Sequence, residues 1–103
     1  MHEEENTMSR MDVLRAKRLE ILGLAARFGA RNVRVFGSVA RGDDRPDSDI
    51  DLLVDMEPGR SLFDLVGCWQ GMEDLMRCRV DVVTEKGLKP RVRGSVMREA
   101  VAL

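Results

Sequence analysis

Histidine and cysteine are scarce in this sequence, which limits the metal sites that it can build. The 103 residues include one histidine, His2, and two cysteines, Cys68 and Cys78, which do not form a C-x-x-C pair. Because zinc sites are normally built from several such ligands, we expect no structural zinc site. Unpaired cysteines of this kind are typical of reducing compartments, so we expect free thiols and a cytoplasmic protein.

The sequence also lacks a long apolar run and a strong net charge. No uninterrupted apolar segment approaches the length that crosses a membrane. The acidic start, Met-His-Glu-Glu-Glu-Asn, is the opposite of a secretory signal. With 17 basic and 18 acidic residues the formal net charge is -1, so no general field attracts nucleic acid or membrane. We therefore expect no membrane association and no direct nucleic-acid binding.

The apolar periodicity predicts one small domain over residues 10–103, preceded by a polar, frayed segment over residues 1–9. The predicted helices cover 10–28, 61–76 and 90–101, with a helical turn at 39–42. The predicted strands cover 32–36, 50–54 and 79–83. This order of elements indicates an α/β (α+β) domain, in which helices flank a small mixed β-sheet.

The predicted helices begin at recognisable signals. Two S-x-x-D pairs that resemble capping boxes mark helix starts: Ser9 with Asp12, and Ser61 with Asp64. In the helix over 61–76, Trp69 lies on the apolar stripe and is expected in the core, whereas Gly67 and Gly71 weaken the helix.

The stretch over residues 37–54 carries the clearest chemical signal. It opens with Gly37-Ser38 directly after one apolar strand and ends with Asp49 and Asp51 at the head of the next. Side chains two residues apart on a strand point the same way, so these carboxylates share a face and repel each other unless a cation binds. Oxygen ligands favour Mg²⁺ or Mn²⁺. The stretch therefore predicts a divalent-metal site beside a flexible turn.

Four further positions extend this site. Gly37 lets the backbone approach a ligand, Ser38 adds a hydroxyl, and a helix that begins here would offer N–H groups to phosphate. Arg41 adds a positive charge nearby. Asp81 is the only acid in the third apolar run, and it joins the cluster if that strand lies beside the second. Each feature alone is more often an ordinary turn or loop residue, but together they indicate phosphoryl or nucleotidyl transfer from a metal-bound nucleoside triphosphate.

The spacing of these residues resembles that of a known family. Gly37-Ser38, ten residues and then Asp49-x-Asp51 resemble the signature of nucleotidyltransferases related to DNA polymerase beta. The longer pattern G-S-x-A-R-G-x5-S-D-x-D-x-x-V resembles the minimal nucleotidyltransferases of bacteria and archaea. The resemblance covers residues 10–103 and implies the polymerase beta-like nucleotidyltransferase fold. It further implies that Asp49 and Asp51 bind two metal ions, that Asp81 contacts one ion and helps activate the acceptor hydroxyl, and that Gly37 and Ser38 hold the β and γ phosphates.

The resemblance also implies a biological role. Members of this family often act as antitoxins of a partner HEPN-domain toxin, and some transfer AMP from ATP to a tyrosine of that toxin. Because Asp49, Asp51 and Asp81 are all present, we expect an active, magnesium-dependent enzyme of this kind. Two alternatives remain open: a binding module that neutralises its toxin by contact alone, and nucleotidyl transfer to a small molecule. The sequence does not determine the acceptor, the preferred nucleotide or whether the chain forms homo-oligomers.

Overall fold

The computed structural model describes residues 8–103, which form a four-stranded mixed sheet with helices packed against it. The helices are α1 (Arg10–Ala16), α2 (Arg18–Arg27), α3 (Gly37–Arg41), α4 (Leu62–Met76) and α5 (Pro90–Glu99). The strands are β1 (Ala30–Phe36), β2 (Ile50–Met56), β3 (Val80–Thr84) and β4 (Val101–Ala102). Most of the predicted frayed segment, residues 1–7, lies outside the described residues. No helix in the part that is described is long and apolar enough to cross a membrane.

Both predicted S-x-x-D helix starts are confirmed as capping boxes. The Asp12 N–H donates to Ser9 Oγ at 3.0 Å, and the Ser61 N–H donates to Asp64 Oδ2 at 2.9 Å. These bonds satisfy N–H groups that lack partners in the first turn of a helix. The prediction of one helix over 10–28 is wrong in detail, because Lys17 adopts φ -98° and ψ 14° and separates α1 from α2.

The predicted mixed sheet is confirmed, with strand order β3-β2-β1-β4. β2 and β3 are parallel and are joined by α4, whereas β1 is antiparallel to both β2 and β4. β2 is central and apolar, and Ile50, Leu52 and Val54 are no more than 1% exposed. These side chains form the main core together with residues of α1, α2 and α4.

Strand β1 is longer than predicted because it contains a bulge. Its pairing with β2 shifts by one residue between Arg31 and Arg34. Ala30, Val33 and Val35 are all buried, although Ala30 and Val33 are an odd number of residues apart. The bulge therefore restores the alternation of faces and keeps all three side chains in the core.

Strand β4 was not predicted. The predicted helix over 90–101 ends instead at Glu99, and the chain turns into a short edge strand in which Val101 pairs with Val35 and Ala102 with Arg34. Two residues are too few to show the alternation that marks a strand in sequence. Pairing with β1 therefore overrides the helical pattern at this end.

Helices α2 and α4 approach closely at two glycines of α4. A Cβ atom on Gly67 would lie 2.5 Å from Phe28 Cε1, and one on Gly71 would lie 3.0 Å from Leu24 Cδ1. The two residues that lower the helix propensity of α4 are thus the ones that let it pack against α2.

The apolar stripe of α4 is only partly buried. Cys68 and Met72 are 0% exposed, and burial raises the pKa of the Cys68 thiol. Trp69 is 40% exposed, so the prediction that it belongs to the core is wrong. Leu62 and Phe63 at the start of α4 are more exposed still. Helical period alone thus overestimates the width of the face that α4 buries.

We predict that Gly67→Ala lowers the free energy of unfolding by about 1–3 kcal/mol, because the added methyl group overlaps Phe28. Urea denaturation followed by circular dichroism would measure this change.

The matched control for this change is Gly23→Ala in α2, where an added Cβ meets nothing within 4 Å. Alanine has the higher helix propensity, so this variant should gain about 0.5–1 kcal/mol. Equal gains at both positions would contradict the close packing of α2 and α4.

Candidate active site

Two carboxylates lie next to each other where β2 and β3 run in parallel. Asp51 pairs directly with Asp81 in the register of these strands. This confirms the prediction that the strands carrying them are neighbours. Side chains paired in a parallel ladder point to the same side of the sheet, so both carboxylates lie on the face opposite Leu52 and Val82, which are buried in the core.

Asp49, the third predicted carboxylate, lies one residue before β2. Its Oδ1 atom is 3.3 Å from Nε of Arg79, whose side chain is 83% exposed. Within residues 8–103, no group of three or more His, Cys, Asp or Glu side chains converges on one point that could hold an ion. The fold therefore places Asp51 beside Asp81, whereas the Asp49 carboxylate, one residue before β2, lies next to the Arg79 guanidinium.

The negative charge of Asp51 is disfavoured by burial and by neighbouring carboxylates. Burial, followed by the charges of Asp81, Asp49 and Glu99, raises the pKa of Asp51 to about 6, while Arg41 acts in the opposite direction. A divalent cation would relieve this repulsion. Because Mg²⁺ usually takes only one or two protein carboxylates and completes its shell with water and phosphate, a closed cage of protein ligands is unnecessary. The donor set therefore fits such an ion.

Gly37 lies against Asp51 at the point where β1 ends and α3 begins. Its φ angle is +75°, and a Cβ atom here would overlap Asp51 Oδ2. A side chain at this position would thus be strained and would also push the carboxylate away. Ser38 follows it in the first turn of α3, half-buried, and Gly42 ends the helix in the left-handed conformation. The predicted turn and carboxylate strand therefore meet in direct contact.

Arg41 is engaged by two carboxylates of the chain. Its Nε donates to Asp43 Oδ2 at 3.2 Å, and its Nη1 donates to Glu99 Oε2 at 3.2 Å. Asp43 and Glu99 together raise the pKa of Arg41. The guanidinium is thus near the predicted phosphate position, but its charge is shared with these two side chains.

Glu99 is a residue of the site that sequence reasoning missed. Its Oε1 accepts a hydrogen bond from the Gly37 N–H at 2.8 Å, and it also binds Arg41. The predicted helix over 90–101 includes Glu99 and gives no reason to place it beside Gly37. Only a prediction of strand β4 beside β1 would have indicated that Glu99 lies near Gly37.

Arg10 is a second missed residue, and it supports the loop that leads into β2. Its guanidinium donates to the carbonyl oxygens of Ser48 and Pro46 and lies 4.0 Å from Asp44. The start of α1 thereby holds the segment immediately before Asp49. Nothing in the sequence pattern indicates this contact across more than thirty residues.

A separate cleft of about 540 Å³ lies at the far ends of β2 and β3. Its lining includes Asp55, Glu85, Lys86 and Arg93, but not Asp49, Asp51 or Asp81. The carboxylate cluster thus lies on the open sheet face rather than in this cleft.

Comparison with known proteins agrees with this architecture. Residues 21–103 match the model of the nucleotidyltransferase domain family. The chain is 42% identical over 78 residues to protein adenylyltransferase MntA of Thermococcus cleftensis, which covers 76% of this chain and 79% of that protein.

Solved structures share the fold. One, described as a candidate minimal nucleotidyltransferase, has a TM-score of 0.82 and 52% identity, covering 96% of this chain and 100% of that one. A crystal structure of a toxin–antitoxin with AMP-PNP has a TM-score of 0.68 at 19% identity, covering 82% of this chain and 69% of that chain. The predicted nucleotidyltransferase fold is confirmed, and the chain belongs to the nucleotidyltransferase domain family.

Proposed function

We propose that this nucleotidyltransferase transfers AMP from ATP to a tyrosine hydroxyl of a partner HEPN-domain toxin and so acts as its antitoxin. The observation that carries the proposal is the pairing of Asp51 with Asp81 beside the Gly37 turn. A protein acceptor is supported by the 42% identity to a protein adenylyltransferase. A toxin partner is what the sequence resemblance implies, and the fold is shared with a toxin–antitoxin structure that contains an ATP analogue.

The proposed metal ligands are Asp49, Asp51 and Asp81, with two Mg²⁺ ions, or Mn²⁺ in their place. When bound, such ions would polarise the α-phosphate and neutralise charge that develops on the leaving pyrophosphate. Burial of Asp51 and repulsion from its neighbours support this assignment, since both make its charge costly without a cation. To serve as a ligand, Asp49 would exchange its contact with Arg79 for the ion.

The proposed phosphate contacts are the turn at Gly37 and Ser38, supported by the absence of a side chain at Gly37. Arg41 is proposed as an additional phosphate contact. Since its guanidinium binds Asp43 and Glu99, it would contribute by reorienting or by sharing its remaining donors with a phosphate oxygen.

The proposed reaction is an in-line displacement at the α-phosphorus of ATP. The tyrosine oxygen forms a bond to phosphorus while the bond to the β-phosphate oxygen breaks, and pyrophosphate leaves. The hydroxyl proton passes to the carboxylate of Asp81, which is exposed and thus accessible to a second protein. Asp51, half-buried beside Gly37, keeps the nucleotide in place rather than meeting the acceptor.

We predict that Asp49→Ala and Asp51→Ala each lower the rate of AMP transfer at least about a hundredfold, because charge stabilisation worth several kcal/mol is lost. The measurement is transfer of label from α-³²P-ATP to the proposed HEPN-domain partner, in the presence of Mg²⁺. Asp47→Ala, which removes an exposed carboxylate from the adjacent loop, is the control and should leave the rate unchanged.

Label from γ-³²P-ATP should not be transferred, since the γ phosphate leaves with pyrophosphate. Transfer from the γ position would indicate a kinase, and equal transfer by wild type and both aspartate variants would refute the proposal. If those variants neutralise the toxin in cells as well as wild type does, neutralisation occurs by contact alone.

A second prediction concerns stability without metal. Asp51→Asn removes one of the facing charges and should stabilise the metal-free protein by about 1 kcal/mol, after allowance for partial exposure. This corresponds to a rise in Tm of roughly 5 °C for a domain of this size, measured by thermal unfolding in EDTA.

Addition of Mg²⁺ should raise the Tm of wild type more than that of Asp51→Asn, because the wild type has more charge repulsion for the ion to relieve. Asp47→Asn is the matched control and should respond as wild type does. A lower Tm for Asp51→Asn in EDTA would show that the repulsion is not the dominant energy at this position.

A further inference from the structure

The register of the edge strand places Glu99 beside the Gly37 turn. β4 is antiparallel to β1, with Val101 opposite Val35. Glu99 is the last residue of α5, two residues before Val101, and Gly37 is the first residue of α3, two residues after Val35, so this strand pairing brings the two helix ends together. Ala100 is already extended, with φ -62° and ψ 134°, and therefore continues the line of β4.

The Glu99 carboxylate makes two kinds of contact there. Its Oε1 accepts the Gly37 N–H at 2.8 Å, and Oε1 and Oε2 lie 3.3 and 3.2 Å from Arg41 Nη1. The Glu99 side chain is 26% exposed, which is less than the 49% of Arg41. Hydrogen bonds between a charged acceptor and a backbone N–H in such surroundings are among the stronger ones.

These contacts fix a turn that has little freedom to move. Gly37 has a φ angle of +75° and directly contacts the Asp51 carboxylate. A shift of the turn would therefore move either the phosphate contact or Asp51. Groups that bind a reacting substrate must keep their geometry closely, so a bond that anchors this turn affects both.

The charge of Glu99 is unfavourable for the nearby Asp51 carboxylate. This charge adds to those of Asp81 and Asp49 around Asp51 and contributes to the raised pKa of that carboxyl. A neutral side chain would avoid this cost. Glu99 is therefore favourable for the site through its bonds to Gly37 and Arg41, and not through its negative charge near Asp51.

We infer that Glu99 is a positioning residue of the nucleotidyl-transfer site, which anchors the Gly37 turn against Asp51 and holds Arg41 beside it. This inference rests on the proposed function, because the turn is proposed to bind the triphosphate. It assigns the junction of α5 and β4 a part in the chemistry, which Glu99 plays through its bonds to Gly37 and Arg41.

Three variants distinguish the effect of the hydrogen bond between Glu99 and the Gly37 N–H from the effect of the negative charge of Glu99. Glu99→Gln keeps an acceptor oxygen at the same reach, Glu99→Ala removes it, and Glu99→Asp keeps the charge but is one methylene shorter. Glu85→Ala on the turn before α5 is the control. The measurements are hydrogen exchange of the Gly37 amide by NMR, the Kd for MgATP, and kcat and KM for AMP transfer.

We expect Glu99→Ala and Glu99→Asp to speed exchange of the Gly37 amide about tenfold and to slow AMP transfer about tenfold. Glu99→Gln should stay within about threefold of wild type in both measurements, and Glu85→Ala should match wild type. Activity should therefore be lost only in the variants whose side chain no longer reaches the Gly37 N–H. A residue that only stabilises the fold would not give this pattern.

The inference would be overturned if the Gly37 amide of Glu99→Ala exchanged at the wild-type rate. It would also be overturned if Glu99→Gln lost as much AMP transfer and amide protection as Glu99→Ala. If Glu99→Ala does not fold, Glu99→Asp and Glu99→Gln decide by the same criteria. If wild type binds MgATP but transfers no AMP, the proposed acceptor is wrong, whereas the exchange and the Kd of the variants still test Glu99. If wild type does not bind MgATP, the proposed function fails. If, in addition, the Gly37 amide of Glu99→Asp exchanges at the wild-type rate, the inference that Glu99 anchors the turn fails as well.

Discussion

The parallel pairing of β2 with β3 is the constraint on which the site depends. On the core face it buries Ile50 and Leu52 of β2 with Val80 and Val82 of β3. On the other face the same register places Asp51 beside its partner carboxylate. A slip of one residue would move the apolar side chains into water and the carboxylates into the core. Burial of apolar surface thus holds together two charges that would otherwise separate.

The fold accepts an electrostatic cost at this point because the surrounding core is well packed. This cost is seen in the pKa of Asp51, which is raised to about 6. The Asp51 carboxylate lies directly against Gly37, which limits how far it can move. α4 makes the crossover between the two parallel strands, and its close approach to α2 is permitted by Gly67 and Gly71. Two glycines far from the carboxylates therefore help to fix the strands that carry them.

Much of the site could be predicted from local sequence, because its signals are local. The Gly-Ser turn and Asp49-x-Asp51 lie within one stretch, and Asp81 stands out as the only acid of the third apolar run. The neighbours of those residues could not be predicted in this way. Glu99 reaches Gly37 only because a two-residue strand pairs with β1, and Arg10 supports the central loop through contacts that leave no periodic pattern. Both depend on tertiary pairing rather than on propensity.

The most direct test of the account is to locate the metal. Crystals grown with Mn²⁺ and a non-hydrolysable ATP analogue would give anomalous peaks at the bound ions. The account predicts ions about 2.1 Å from carboxylate oxygens of Asp49 and Asp51, with Asp81 as a ligand of one ion and the triphosphate against the Gly37 turn. An ion bound elsewhere, or a nucleotide held away from these aspartates, would contradict it.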